Sequence, residues 1–128
     1  MTEIKNQITT GIDIVSIRRI RKSSRNPRFC EGIFTKGELA YSMKKRSPPK
    51  HLAGRFAAKE ACVKALSFAP EAVFGWKDIE VVNDGNGRPA IRLHSGAVDA
   101  LGGRKIFLSI TYSKEAAMAF VAVEQVFI

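Results

Sequence analysis

The hydrophobic pattern is strand-like near the two ends of the chain and helical through its middle. Residues Thr9 to Val15 (TTGIDIV) are rich in β-branched side chains and read as a strand. Ser16 follows as a candidate N-cap for a short basic helix, in which Ile17 and Ile20 interleave with arginines. Asn26-Pro27 interrupts it, and a second short helix starts there. Thr35 and Glu38 have the spacing of a capping box, so a helix running to about Lys45 is expected. KKRSPPK, from Lys44 to Lys50, contains a Pro-Pro pair and reads as a loop. The longest helical stretch spans His51 to Phe68 and is ended by Ala69-Pro70. Asp78 to Asn83 and Arg88 to Leu93 alternate as strands around the hairpin signal DGNG. A short helix over Gly96 to Leu101, a Gly102-Gly103 turn and two strands, Lys105 to Ser113 and Ala117 to Val126, complete the series. One long helix packed on a mostly antiparallel sheet is an α+β architecture.

Composition narrows the class. A chain of 128 residues with a 45% hydrophobic fraction is long enough to bury a core and is expected to form a single domain, residues 1–128. No apolar run approaches the roughly 20 residues that span a bilayer, and MTEIKNQITTGIDIV lacks the form of a secretory signal. Cys30 and Cys62 show neither metal spacing nor a disulfide framework, so a reduced, cytoplasmic protein is expected. The net charge of +9 favours polyanionic partners: nucleic acid, phosphorylated small molecules or an acidic protein. That excess is concentrated in RRIRKSSRNPR, Arg18 to Arg28, with six basic side chains and no acid. Nucleic acid is the weaker of these readings, because the run has no aromatic residue for base stacking.

Two acids stand out against this background. In the long helix Leu52, Phe56, Val63 and Leu66 form an apolar stripe at about 100° per residue, with Lys59 on one side and Glu60 on the other. Glu60 and Lys64 share a helix face and could be an exposed pair worth only ~0.2–0.5 kcal/mol. Asp13 lies in an apolar run where Asp is disfavoured, and could serve as N-cap of the basic helix. Two carboxylates in apolar segments among basic residues also suit a magnesium ion, which takes one or two protein carboxylates and leaves other positions to water and phosphate. Farther along, LSITYS presents Ser109, Thr111 and Ser113 on one face and Leu108, Ile110 and Tyr112 on the other. His51 and His94 read as surface residues.

Taken together, GIDIVSIRRI, FTKGEL, LAGRFAAKEACVKAL, GNGRPAIRL and LSITYSKEAAMAFVAVE resemble, in order and from Gly11 to Glu124, the holo-acyl-carrier-protein synthases, the short phosphopantetheinyl transferases. The resemblance implies transfer of the phosphopantetheine arm of coenzyme A to a serine of apo-acyl carrier protein, with release of 3′,5′-ADP. It implies that Asp13 and Glu60 coordinate magnesium, and that Arg55, Lys59 and Lys64 meet phosphate, Lys64 stabilising the transferring group. Gly87, Arg88 and Pro89 would lie against the nucleotide, with Ser109 and Thr111 as donors. Arg19, Arg25 and Arg28, with Phe29 as apolar neighbour, match the surface that docks the acidic carrier protein. A homotrimer with sites between subunits is implied as well. Tyr112 departs from the pattern, since many members carry histidine there, and altered coenzyme A affinity is expected from the exchange. A paralogue that binds coenzyme A without transferring it is the alternative reading.

Overall fold

A computed structural model of the protein describes residues 7–125. Five strands and five helices follow in the order β1 (Ile8–Ser16), α1 (Ile17–Ser23), α2 (Pro27–Ile33), α3 (Lys36–Met43), α4 (Pro48–Ala65), β2 (Ile79–Asn83), β3 (Pro89–Leu93), α5 (Gly96–Leu101), β4 (Ile106–Tyr112) and β5 (Ala116–Glu124). A 3₁₀ turn, Trp76–Asp78, precedes β2. The expected α+β class holds, but the strands divide into two sheets: a three-stranded one ordered β1-β5-β4 and the hairpin β2-β3. All pairings are antiparallel, and β1 closes against β5 with Gly11 opposite Val121 and Asp13 opposite Ala119. Val126, expected at the end of the last strand, lies outside the described residues.

Local signals explain most element boundaries. The Ser16 side chain accepts from the Arg19 amide at 3.2 Å and caps α1, so Asp13 is a strand residue and not that cap. Asn26 caps α2 with Pro27 in its first turn. Thr35 and Glu38 form the capping box of α3, with bonds of 3.2 and 2.9 Å. The Pro-Pro pair is not a loop: Pro48 and Pro49 open α4, where a missing amide costs nothing and a fixed φ is already helical. At the other end α4 closes at Ala65, short of the expected Phe68.

The core lies between α4 and the three-stranded sheet. Ala117, Ala119, Val121 and Val123 of β5 are fully buried against a helix face made of Ala53, Ala57, Ala58, Ala61 and Ala65. The face is alanine-rich because β1 comes close: a Cβ on Gly11 would overlap the Ala61 carbonyl oxygen and crowd the Ala65 amide. Leu52 and Leu66 of the expected stripe are buried as well, but Val63 is 42% exposed. Such close packing admits only small side chains, and the helix surface turned to the core is wider than four large residues.

Lys59 also enters this core. Its side chain and that of Glu38 are both 0% exposed, with Nζ 2.7 Å from Glu38 Oε1. The ammonium donates in addition to the Trp76 carbonyl at 3.0 Å and to the Ile79 carbonyl, and the Glu38 carboxylate accepts from the Thr35 and Val81 amides at 2.9 Å each. Burial pulls the Lys59 ammonium below its ordinary range, and the Glu38 carboxylate holds it up against that. Removing one member strands the other charge without solvent. Glu38→Leu is therefore expected to lower stability by about 3–5 kcal/mol in urea unfolding, and the double variant Glu38→Leu/Lys59→Met to recover most of the loss. Equal losses in the single and double variants would show that the pair is not the reason.

Candidate active site

Asp13 and Glu60 come to the same cavity. It has a volume of about 390 Å³ and is lined also by Ser16, Arg19, Phe29 and Phe56. The register explains this. Gly11 lies against Ala61, and the Thr9 hydroxyl donates to the Ala65 carbonyl at 2.8 Å. Asp13, two residues on from Gly11, therefore points to the same helix one pleat further. Lys64 reaches across from α4, donating to the Ile12 carbonyl at 2.8 Å and to Asp13 Oδ1 at 3.3 Å. It forms its ion pair with Asp13, not with Glu60 one turn back on the helix.

Glu60 sits where two cavities join. Beyond it lies an apolar groove of about 410 Å³ lined by Val63, Ala72, Phe74, Trp76 and Ile79. Trp76 stacks on Phe56 at 5.4 Å between ring centroids, and Phe56 packs on Phe29 at 6.2 Å. The wall between the two cavities is therefore aromatic and is fixed from behind by Lys59. Lys59 itself is not a phosphate-side residue: it is fully enclosed and its ammonium is held by Glu38 and two carbonyls. Phe74 and Trp76 went unnoticed in the sequence because nothing local ties the segment around Gly75 to the helix.

Among the described residues no three His, Cys, Asp or Glu side chains form a metal cluster. Two carboxylates on one polar cavity still fit a hard divalent cation that completes its shell with water and phosphate oxygens, and Asp13 and Glu60 would hold it.

The other predicted residues fall into separate groups. Arg19 and Phe29 line the Asp13–Glu60 cavity, while Arg25 and Arg28 are exposed at the α1–α2 corner. Arg88, Pro89 and Ser109 line a different cavity, of about 380 Å³, between the β2-β3 hairpin and β4. Gly87 turns that hairpin with a φ of +79°, and Asp84 Oδ1 accepts from the Asn86 and Arg88 amides at 2.8 and 3.0 Å. Ser109 and Thr111 do point outward, but onto an apolar sheet face: Ser109 pairs with Phe120 and Thr111 with Met118. Across β5, Phe120 and Met118 oppose Ile12 and Ile14, which are 55% and 63% exposed.

Arg55 is only 2% exposed, stacked 3.9 Å over the Tyr41 ring and donating to Asn83 Oδ1 at 3.0 Å. Its Nε is buried without a hydrogen-bond partner, and burial lowers its pKa. Around it gather Lys45 on the Tyr41 ring, Lys50 on the Tyr112 ring, and His51 between the two tyrosines, 5.9 Å from each. The Tyr112 hydroxyl packs against Gly54, and burial raises its pKa. His51 is thus not a plain surface residue. The basic run KKRSPPK is the sequence signal for this cluster, and its prolines open α4 where a loop is expected.

Against this geometry, comparison with known proteins is direct. The profile of the 4′-phosphopantetheinyl transferase superfamily matches residues 9–121. The holo-[acyl-carrier-protein] synthase of Alkaliphilus metalliredigens is 45% identical over 113 residues, covering 85% of this chain and 92% of that one. Among solved structures, the Chronobacterium ammoniagenes ACPS–CoA complex aligns with a TM-score of 0.79 at 30% identity, over 93% of this chain and 98% of that one. The Helicobacter pylori holo-[acyl-carrier-protein] synthase in complex with coenzyme A gives 0.77 at 32%, over 90% and 99%. The chain belongs to the 4′-phosphopantetheinyl transferase superfamily, and its fold is that of the holo-acyl-carrier-protein synthases.

The cations around His51 set its titration. Burial first, then Lys50, Arg55 and Lys45, hold the imidazole below 6.5. A depressed histidine binds fewer protons folded than unfolded, so its contribution to stability is complete above pH 6.5 and is lost as pH falls toward the folded value. An NMR titration of His51 is expected to give a midpoint below 6.5 that Lys50→Ala moves upward. A midpoint at or above 6.5 would contradict the arrangement.

Proposed function

We propose that the protein transfers the 4′-phosphopantetheine group of coenzyme A to a serine of apo-acyl carrier protein, yielding holo-acyl carrier protein and 3′,5′-ADP, with magnesium as the cofactor. The observation that carries the reading is Glu60 at the junction of a polar cavity holding Asp13 and Arg19 and an apolar groove walled by Phe74 and Trp76. The apolar groove suits the pantetheine arm, and the junction suits the pyrophosphate. The carrier serine enters past Arg19.

Magnesium bound by Asp13 and Glu60 would neutralise charge on the phosphate under attack. The chain's own residues do the rest. Lys64, on a flexible stem beside Asp13, stabilises the transferring phosphoryl group. As the serine oxygen bonds to phosphorus, the bond to 3′,5′-ADP breaks and the hydroxyl proton leaves to a base. Arg19, Arg25 and Arg28, with Phe29, form the docking surface for the acidic carrier. Such complementarity speeds encounter and weakens with salt. Arg55, Arg88, Pro89, Ser109, Thr111 and Tyr112 serve the nucleotide end.

Of the nucleotide-end residues, Ser109 and Thr111 lie on the exposed sheet face of Ile12, Ile14, Met118 and Phe120, and Arg88 and Pro89 share a cavity with Ser109. We assign that face to copies of this chain in a homotrimer, with each site completed between subunits. The reaction belongs to the cytoplasm, where coenzyme A and carrier proteins meet.

In the test, apo-acyl carrier protein is incubated with the protein, coenzyme A and magnesium, and its mass is measured. A gain of one phosphopantetheine is expected, lost with Glu60→Gln and with EDTA. Coenzyme A binding without any gain would favour the non-transferring paralogue, and no binding would overturn the reading. Light scattering is expected to give three times 14.1 kDa, and Ile14→Asp to reduce it. A monomer in the wild type would refute the trimer.

A further inference from the structure

Lys64 has two calls on its charge. The phosphate role needs its ammonium in the substrate site, yet Nζ rests on Asp13 Oδ1 at 3.3 Å and on the Ile12 carbonyl at 2.8 Å. Asp13 is one of the two carboxylates assigned to the cation. A divalent ion bound to a carboxylate oxygen sits only about 2.1 Å from it. Ammonium and metal cannot share that oxygen without strong like-charge repulsion, and Lys64 is the mobile partner: its side chain is 53% exposed while that of Asp13 is 21% exposed.

We propose that Lys64 is the resting counter-ion of Asp13, displaced when the divalent cation binds and thereby released toward the substrate phosphate. The inference rests on Asp13 and Glu60 being the cation ligands. Its consequence is a coupling that must run both ways. Cation binding frees the ammonium for the phosphate. Phosphate, by holding the ammonium, removes the cation's competitor. Cation and coenzyme A then bind with positive cooperativity that passes through one lysine side chain. The pair is partly solvated, so the competition is modest in size and reversible.

The probe is Mn²⁺, titrated into the full chain and followed by the electron paramagnetic resonance of the free ion, with no turnover involved. Lys64→Met is expected to bind Mn²⁺ about two- to five-fold more tightly than wild type without coenzyme A, the range set by the weak worth of a solvated ion pair. Coenzyme A is expected to tighten Mn²⁺ binding in wild type and to do so less in Lys64→Met. Arg19→Gln, which removes an equal charge from the wall of the same cavity, is the control for a general field effect and is expected to change the affinity less. Unchanged or weaker Mn²⁺ binding by Lys64→Met, or an equal gain with Arg19→Gln, overturns the switch alone, provided Asp13→Asn still weakens binding. No Mn²⁺ binding in wild type, or full binding by Asp13→Asn, sinks the cation site and the switch together.

Discussion

The close approach of β1 to α4 at Gly11 is the constraint from which the site follows. Because a Cβ at that position would overlap the Ala61 carbonyl oxygen, strand and helix are nearly in backbone contact. Side chains one pleat or one turn further along can then meet without long reaches. Asp13 and Glu60 line one cavity for this reason, and Lys64 can touch both the side chain of Asp13 and the carbonyl of Ile12. The alanine face of α4 is the other half of the same arrangement. A helix packed this tightly buries little area per residue, so the core draws its remaining apolar area from β5 and from Leu52 and Leu66.

Close packing on one side of α4 is matched by a polar anchor on another. Glu38 and Lys59 tie α3, α4, the Trp76 turn and β2 to one buried point. A buried ion pair is a poor source of stability when compared with apolar replacements, but it is demanding about geometry. Here its geometry has a consequence at the site. The carbonyls it holds belong to Trp76 and Ile79, which wall the apolar groove at Glu60. Thr35 adds a second tie between the same parts, donating to Glu80 Oε2 at 2.7 Å while His94 meets the other oxygen at 3.0 Å.

What could be read from the sequence was what local chemistry dictates. The capping box at Thr35, the Ser16 cap, the helix start at Asn26-Pro27 and the DGNG turn each involve residues a few positions apart, and each is where the pattern put it. The pairing of β1 with β5, the division into two sheets and the fate of Lys59 depend on residues far apart in the chain. Nothing in FAAKEACVKAL marks Lys59 as buried, because its partner is Glu38 on a different helix. The prolines misled for a related reason. Pro-Pro ends a helix from within but starts one from its first turn, and only the packing of α4 decides which. The carboxylates were legible as candidates because Asp is out of place in a β-branched run, and their convergence on one cavity was not, because it is a property of the register at Gly11.

Adjacent Lys59 and Glu60 finally show how one dipeptide serves two purposes. Consecutive helical residues project about 100° apart, so on a helix packed on several sides one can enter the core while the next stands at its rim. Lys59 faces inward to the Trp76 turn, and Glu60 faces the cavity that the turn encloses. The inward residue must be long and cationic, since it has to reach two carbonyls and a carboxylate at once. An anionic rim residue suits the cation proposed for this site. Exchanging the two would put a carboxylate against carbonyl oxygens in the core and an ammonium beside Lys64 at the rim, two unfavourable contacts from a change that leaves composition untouched. The order of the pair is thus set by which side of α4 carries the packed wall and which carries the open site.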